Sequence, residues 1–397
     1  MTSLLTIEEA LAAVLARVRS LPSEPVPVAA AAGRVLAADA RSTVDLPPFA
    51  SSAMDGFAVR AADTPGTLPV VGHVAAGVPE TRPLEVGEAM TIATGGVVPD
   101  GADAVIPVEY VVRHDNSVEI ATPVERGAHV RPRGGDLAAN DVVLGSGTVL
   151  GPAQVGALAA AGLAEVVCTR RPRAAVLSTG TELRSPGEPL EPGQIYESNG
   201  VMLAAALQTC GAAVVSLAPA SDDEAANHAA LEQGLEADVL VTSGGVSVGP
   251  HDLVRRIEAE LGVEEVFWRV AVKPGKPISF GVRGDTLVFG LPGNPVSSLV
   301  CFELFVRPAV LALQRAREPR PVFELGELAA PVRRTAERDE LVRARRRIVG
   351  ERVVLEPLLG QESHMIARTA AAEALVLAPR GTGELEAGAV VRYLALR

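Results

Sequence analysis

Three observations on the sequence predict an α/β multidomain fold. From Arg173 to about Leu313, short apolar runs alternate with helical stretches. On either side, β-like runs are broken by glycine and proline. Between Val239 and Pro295, three apolar runs each lead into a glycine-rich or proline-rich turn. The alternation implies a central doubly wound, mainly parallel sheet with crossover helices. At 397 residues the chain is long for one core, and two to four domains are expected. The reading places an N-terminal helical linker domain in two pieces, 1–43 and 131–172. A β-rich insert domain takes 44–130, the α/β domain 173–318, and a C-terminal β-barrel-like domain 319–397.

The elements follow in order. Thr6-Ile7-Glu8-Glu9 fits a capping box, and Leu11, Val14, Leu15 and Val18 then recur at helical spacing up to Pro22. The insert contributes β-like runs at Val70–Val74, Ala89–Ile92 and Ala104–Val108. Gly151-Pro152 opens a helix, and Gly162 is its expected stop. In the α/β region the strand candidates are Ala174–Ser178, Ala213–Leu217 and Asp238–Thr242. Its helix candidates are Asn199–Gln208, Asp222–Leu235, Asp252–Leu261 and the closing helix Val296–Leu313. Past Pro321, β-like runs recur at Glu351–Leu355, Ala374–Leu377 and Ala389–Tyr393.

Composition narrows the function. Net charge is −12, which argues against a nucleic-acid partner while leaving room for a local basic pocket. Cys168, Cys210 and Cys301 are widely spaced and show no metal-ligand pattern, so they read as buried free thiols of a reducing, cytoplasmic setting. No basic, apolar leader opens the chain. The apolar region around Val155–Cys168 is short and interrupted by Gly and Glu, so no membrane partner is expected.

The chemistry concentrates in one stretch. Val239-Leu240-Val241 leads into Thr242-Ser243-Gly244-Gly245-Val246-Ser247-Val248-Gly249. Phe267–Val272 leads into Lys273-Pro274-Gly275-Lys276-Pro277, and Leu287–Gly290 into Leu291-Pro292-Gly293-Asn294-Pro295. Ligands of α/β sheets bind at the carboxyl ends of strands. Small residues there leave backbone N–H groups free to face an anion, and two lysines stand beside them. A phosphorylated ligand is the expected occupant.

Local sequence also supplies plainer roles. Asp55 and Asp136 sit beside glycines as turn acids, Asp222 or Asp223 caps a helix, and Asp252 caps another. His251 reads as a loop residue. Glu182, after the Thr179-Gly180-Thr181 turn, stands at a strand's carboxyl end, where a metal could be held. Asn294 and Pro295 read as the cap and first residue of the closing helix, with Ser297 in its first turn. Arg343-Ala344-Arg345-Arg346-Arg347 reads as a solvated strand face.

In this order and spacing, these runs resemble the molybdopterin molybdenumtransferase family (MoeA, with the gephyrin E domain and its plant counterpart). Ser52-Ala53-Met54-Asp55-Gly56-Phe57-Ala58, Thr94-Gly95-Gly96, Arg131-Pro132-Arg133-Gly134-Gly135-Asp136 and Ser178-Thr179-Gly180-Thr181-Glu182-Leu183 agree with it. The resemblance implies insertion of molybdate into adenylyl-molybdopterin, with release of AMP. It implies that Asp55, Asp136, Glu182, Asp222 (or Asp223) and Asp252 serve catalysis, with Asp55, Glu182 and Asp252 holding Mg²⁺. Lys273, Lys276, Ser297, Arg338 and Ser363 would bind molybdate. Thr94, Ser243, Gly244, Gly245, Ser247, Gly249, Arg269, Pro292, Gly293 and Asn294 would bind the pterin nucleotide. Arg269 stands where the family more often shows Lys, a different donor geometry. The family further implies a homodimer whose site lies between subunits, with an adenylyltransferase and acceptor molybdoenzymes as partners. A molybdopterin adenylyltransferase, a tungstate-inserting relative and a gephyrin-like scaffold are the alternatives.

Overall fold

A computed structural model describes residues 4–217, 223–245 and 253–396. The α/β module carries a six-stranded sheet. Its order is Ala213–Ser216, Arg173–Ser178, Val239–Ser243, Thr286–Leu291, Ser279–Arg283, Glu264–Trp268. The first four strands are parallel, and Ser279–Arg283 runs antiparallel to both of its neighbours. The sheet is thus mainly parallel, with crossover helices Asn199–Thr209 and Glu224–Gly234.

The closing helical run Pro295–Leu313 is the centre of the largest core. It includes a π-helical turn at Phe302–Val306 whose five residues are all buried. By length and apolar composition this run could cross a membrane, but 78% of it is buried inside the fold, as befits a core helix. Burying a residue such as Phe302 or Phe305 stabilises by roughly 1.5–3 kcal/mol. Helix Ile7–Arg17 packs on the same core through Ala10, Leu11 and Val14. Its predicted capping box is present: Thr6 and Glu9 each accept from the other's backbone N–H.

Strand Ser23–Pro27 pairs with Glu165–Thr169, and Ala40–Arg41 with Val142–Leu144. The two pieces of chain flanking the insert therefore meet. The insert is a six-stranded sheet in the order Ala104–Pro107, Gly56–Val59, Ala89–Ile92, Gly66–Val74, Ser117–Ile120, Val112–Arg113. At the other end, Asp339–Val349 pairs with both Arg352–Pro357 and Ala374–Ala378. Phe323–Leu328 and Val390–Ala395 complete the circuit, so five strands close a barrel. Closure removes the exposed edges that an open sheet would leave.

One strand departs from its expected form. Phe267–Val272 is not continuous. Arg269 takes φ +76° and turns the chain after strand Glu264–Trp268. Val272–Lys273 then leaves the module's sheet and adds to the barrel, parallel to Asp339–Val349. The Arg343–Arg347 run also differs. Arg345 and Arg347 are exposed, but Arg343 is 1% exposed. The three cysteines are free and buried, as expected, and burial pushes the Cys210 thiol up to about 11.

Candidate functional site

The parallel register sets Ser178 opposite Ser243 and Ser243 opposite Leu291. Three carboxyl ends therefore open on one edge of the sheet. A cleft of about 510 Å³ lies there. Its walls include Gly180, Glu182, Ser243, Gly244, Gly245, Gly293 and Asn294, all from the runs that the sequence singled out.

Hydrogen bonds fix this wall before any ligand arrives. Asn199, at the start of helix Asn199–Thr209, donates to Ser243 Oγ at 2.8 Å and to the Gly293 carbonyl at 2.7 Å. One amide thus clasps two strand ends. Its Oδ1 is buried and has no partner among the described residues. A ligand N–H or hydroxyl would satisfy it. Glu197 is 7% exposed and accepts from Ser178 Oγ at 2.8 Å and Gly200 N at 2.6 Å. Gly244 takes φ +97°, and a Cβ there would stand 2.6 Å from the Thr179 carbonyl. Only glycine lets these two loops touch.

The barrel supplies the opposite wall through His364 and Ile366. Asn294 is the N-cap of the closing helix by position and φ/ψ, yet its side chain makes no capping bond. It donates instead to Ser363 Oγ at 2.9 Å, while Val296 N donates to the Ser363 carbonyl at 3.0 Å. The loop carrying Ser363 is in turn held by Arg343. That guanidinium donates to the carbonyls of Gly360, Glu362 and Met365 and to Thr369 Oγ1. Burial holds its pKa below the ordinary arginine value. Arg338 shares no hydrogen bond with that loop among the described residues; its carbonyl accepts from Thr335 Oγ1 at 2.7 Å.

The lysine loop lies beside the same helix. Gly275 takes φ +119°, and a Cβ there would stand 2.6 Å from Cys301 Sγ and 3.7 Å from the Ser297 carbonyl. This close approach brings the Lys273–Lys276 loop to Ser297, which is 4% exposed. Lys273 pairs with Glu340 at 3.0 Å. The Lys276 ammonium has no partner among the described residues. Arg269 lays its guanidinium on the Trp268 ring, 3.7 Å from the centroid, with Arg255 at 4.3 Å. A planar guanidinium can stack in this way. Pro292 is buried, and its carbonyl accepts from Ser298 Oγ.

A third group sits on the insert. Asp55 Oδ1 accepts from Thr94 N at 2.7 Å, and Ser52 exchanges backbone bonds with Gly95 and Gly96. Two of the distant motif runs thus form one cluster. Asp136 lies on an exposed turn near the base of the insert, its N–H bonded to the Leu46 carbonyl. Among the described residues, no hydrogen bond or ion pair joins residues 44–131 to residues 173–396. Nor do the described residues of one chain bring three metal-ligating side chains together. Asp223 caps helix Glu224–Gly234, accepting from Ala226 N. Asp222, Ser247, Gly249, His251 and Asp252 lie outside the described residues.

Glu197, Asn199, Arg343 and His364 were not singled out from sequence. Glu197 and Asn199 had a local signal, a polar cluster at a helix start after a strand-like run. Arg343 had none, because its burial depends on how the barrel closes.

A mainly parallel module with a cleft at its strand ends, flanked by a β-rich insert and a closed barrel, defines a multidomain α/β protein. Comparison with known proteins makes this specific. Residues 5–162 match the MoeA N-terminal region (domain I and II), 175–312 a probable molybdopterin binding domain, and 326–396 the MoeA C-terminal region (domain IV). Molybdopterin molybdenumtransferase 2 of Mycobacterium tuberculosis is 45% identical over 298 residues, 71% of this chain and 73% of that protein. The molybdopterin molybdenumtransferase of Staphylococcus aureus is 30% identical over 393 residues, 97% of this chain and 94% of that one. The crystal structure of the molybdopterin biosynthesis MoeA protein of Pyrococcus horikoshii superposes with a TM-score of 0.80 at 33% identity, covering 99% of each chain. The chain belongs to the molybdopterin molybdenumtransferase (MoeA) family, transferases of molybdenum cofactor biosynthesis.

Proposed function

We propose that this chain inserts molybdate into adenylyl-molybdopterin and releases AMP. The observation that carries the reading is a preformed cleft walled by the start of the closing helix, the same helix that the lysine loop approaches at Ser297. The cleft has glycine backbone at Gly245 and Gly293 for a nucleotide phosphate, while the Gly244 N–H is bonded to the Leu291 carbonyl. The loop has Lys276 without a carboxylate partner, near Ser297, for a tetrahedral oxyanion. In the reaction, water attacks the phosphoanhydride and its bridging P–O bond breaks. AMP leaves, and the other phosphate stays on the pterin. The two dithiolene sulfurs bind molybdenum, and displaced oxygens depart as water.

In this assignment the cleft wall orients the nucleotide through Ser243, Gly293 and Asn294. Arg269, stacked on Trp268, offers its N–H edge to the ligand. Lys273, Lys276, Ser297 and Ser363 surround the oxyanion, and Arg343 holds the Ser363 loop in place. Mg²⁺ would polarise the phosphoanhydride; it prefers oxygen ligands and keeps water and phosphate oxygens. Glu182 on the cleft wall suits that cation. Asp55 and Thr94 belong to the insert and Asp136 to the turn at its base, so they would complete the site of a second copy in a homodimer. Asp222, Asp252, Ser247 and Gly249 keep their assigned roles. A cytoplasmic setting, with an adenylyltransferase upstream and acceptor molybdoenzymes downstream, completes the reading.

The test is to supply adenylyl-molybdopterin, molybdate and Mg²⁺ to the full chain. Molybdate-dependent AMP release is expected. Adenylation of free molybdopterin from ATP, with no AMP release from the adenylylated form, would assign the chain to the preceding step instead.

A further inference from the structure

Lys273 stands at a junction. Its short strand leaves the α/β module and lies parallel to barrel strand Asp339–Val349, with Lys273 opposite Glu340. The ammonium reaches Glu340 Oε1 at 3.0 Å. The Lys273 side chain is 41% exposed and that of Glu340 is 11% exposed. Both line a second cleft, of about 710 Å³, with Arg333 and Arg334. Arg334 is already committed to the carbonyls of Pro379 and Arg380. The two lysines of one loop therefore differ: Lys273 is charge-compensated, and Lys276 is not. The Glu340 backbone is held within the barrel. Its strand is paired on both sides, to Lys273 and to Ala378.

We infer that Glu340 is a positioning residue that holds the Lys273 ammonium until an oxyanion takes it, and thereby sets oxyanion affinity. The inference rests on the reading that Lys273 and Lys276 bind molybdate. On binding, the ammonium exchanges a carboxylate for the oxyanion; no covalent bond changes. The fixed carboxylate both competes for the ammonium and repels the incoming dianion. A neutral side chain of the same shape at 340 removes both effects and keeps an acceptor for the barrel.

The test is calorimetric titration of sodium molybdate into the full-length protein, with AMP titrated separately. Glu340→Gln should tighten molybdate about three- to tenfold and leave AMP binding unchanged. Glu340→Asp keeps the charge but withdraws it by one methylene, and should tighten molybdate less. It also serves as the test should Glu340→Gln fail to fold. Lys273→Ala should weaken molybdate, and adding Glu340→Gln to it should then tighten molybdate by less than it does in the parent, because only the repulsion is left to remove. If Glu340→Gln or Glu340→Asp weakens molybdate or leaves it unchanged, while Lys273→Ala still weakens it, the inference is overturned and the oxyanion reading stands. If Lys273→Ala changes nothing, that reading fails for Lys273 and takes the inference with it. Loss of molybdate and AMP binding together in the position 340 variants would make Glu340 a structural residue and overturn the inference.

Discussion

The α/β cleft carries most of the candidate site residues and the insert only Asp55 and Thr94, and the two are built differently. The cleft is held by side-chain clasps: Asn199 to Ser243 and Gly293, Glu197 to Ser178, Asn294 to Ser363. The insert's Asp55 is exposed, and among the described residues its side chain bonds only the backbone of Thr94 beside it. A preassembled wall suits a surface that must present a fixed shape to its ligand. An exposed acid on a separate sheet, unconnected to that wall in its own chain, suits a group that acts on something brought to it. The contrast predicts that cleft clasps govern both stability and binding, whereas insert acids govern turnover alone.

The largest effect should come from the acids. Asp55→Asn and Glu182→Gln should each lower AMP release by at least about a thousandfold, the scale on which mutagenesis of charge-stabilising groups is felt. Thermal unfolding should be unchanged, because both side chains are exposed. Normal AMP release by Asp55→Asn would break the comparison at the insert, and normal release by Glu182→Gln would remove the cation role from the cleft wall.

Next comes the oxyanion loop. Lys276→Ala should raise the molybdate concentration needed for insertion about ten- to a hundredfold, the scale of one charge-assisted hydrogen bond. High molybdate should restore turnover. If calorimetry shows unchanged molybdate binding but lost pterin-nucleotide binding, the lysine is a phosphate clamp and the division of the pocket changes.

Arg343→Ala sharpens the other side of the comparison. It leaves several carbonyls of the Ser363 loop without a donor, and should cost about 3 kcal/mol or more of stability. Denaturant unfolding checks this, and a midpoint unchanged from the parent would mean that the loop is held otherwise.

The smallest effect concerns pH. Asp238 is half-buried, which pushes its pKa up, but bonds from the Arg170 guanidinium and the Arg173 N–H outweigh that and hold it below the usual aspartate value. Its contribution is therefore present above the unfolded aspartate pKa, about 4, and is lost as pH falls through the lower folded value. Asp238→Asn should flatten the acid limb of the stability–pH curve by about 1 kcal/mol. An unchanged acid limb would contradict the assignment.

Much of the cleft wall was legible because the runs that build it are local. The Ser243, Gly244, Gly293 and Asn294 runs follow strands, and the strands' parallel register gathers their ends on one edge. What was not legible depends on distant pairings. Val272–Lys273 reads as the end of one strand, yet a turn at Arg269 sends it to a barrel strand some seventy residues on. Arg343 reads like its neighbours Arg345 and Arg347, but barrel closure buries it alone. Asn294 has the sequence of a helix cap, and Ser363, far along the chain, takes its side chain instead.

On the proposed reading, the insert acid Asp55 of one copy serves the cleft of another. Two inactive variants test it directly: Asp55→Asn and Glu182→Gln, unfolded together, refolded as a mixture and assayed for AMP release. In a mixed dimer, one of the two sites receives an intact Asp55 from one subunit and an intact Glu182 from the other. With random pairing, half the dimers are mixed and each has one good site of two, so about a quarter of parental activity should return. A mixture that forms mixed dimers, shown by mass, yet stays as inactive as either variant alone would contradict the claim.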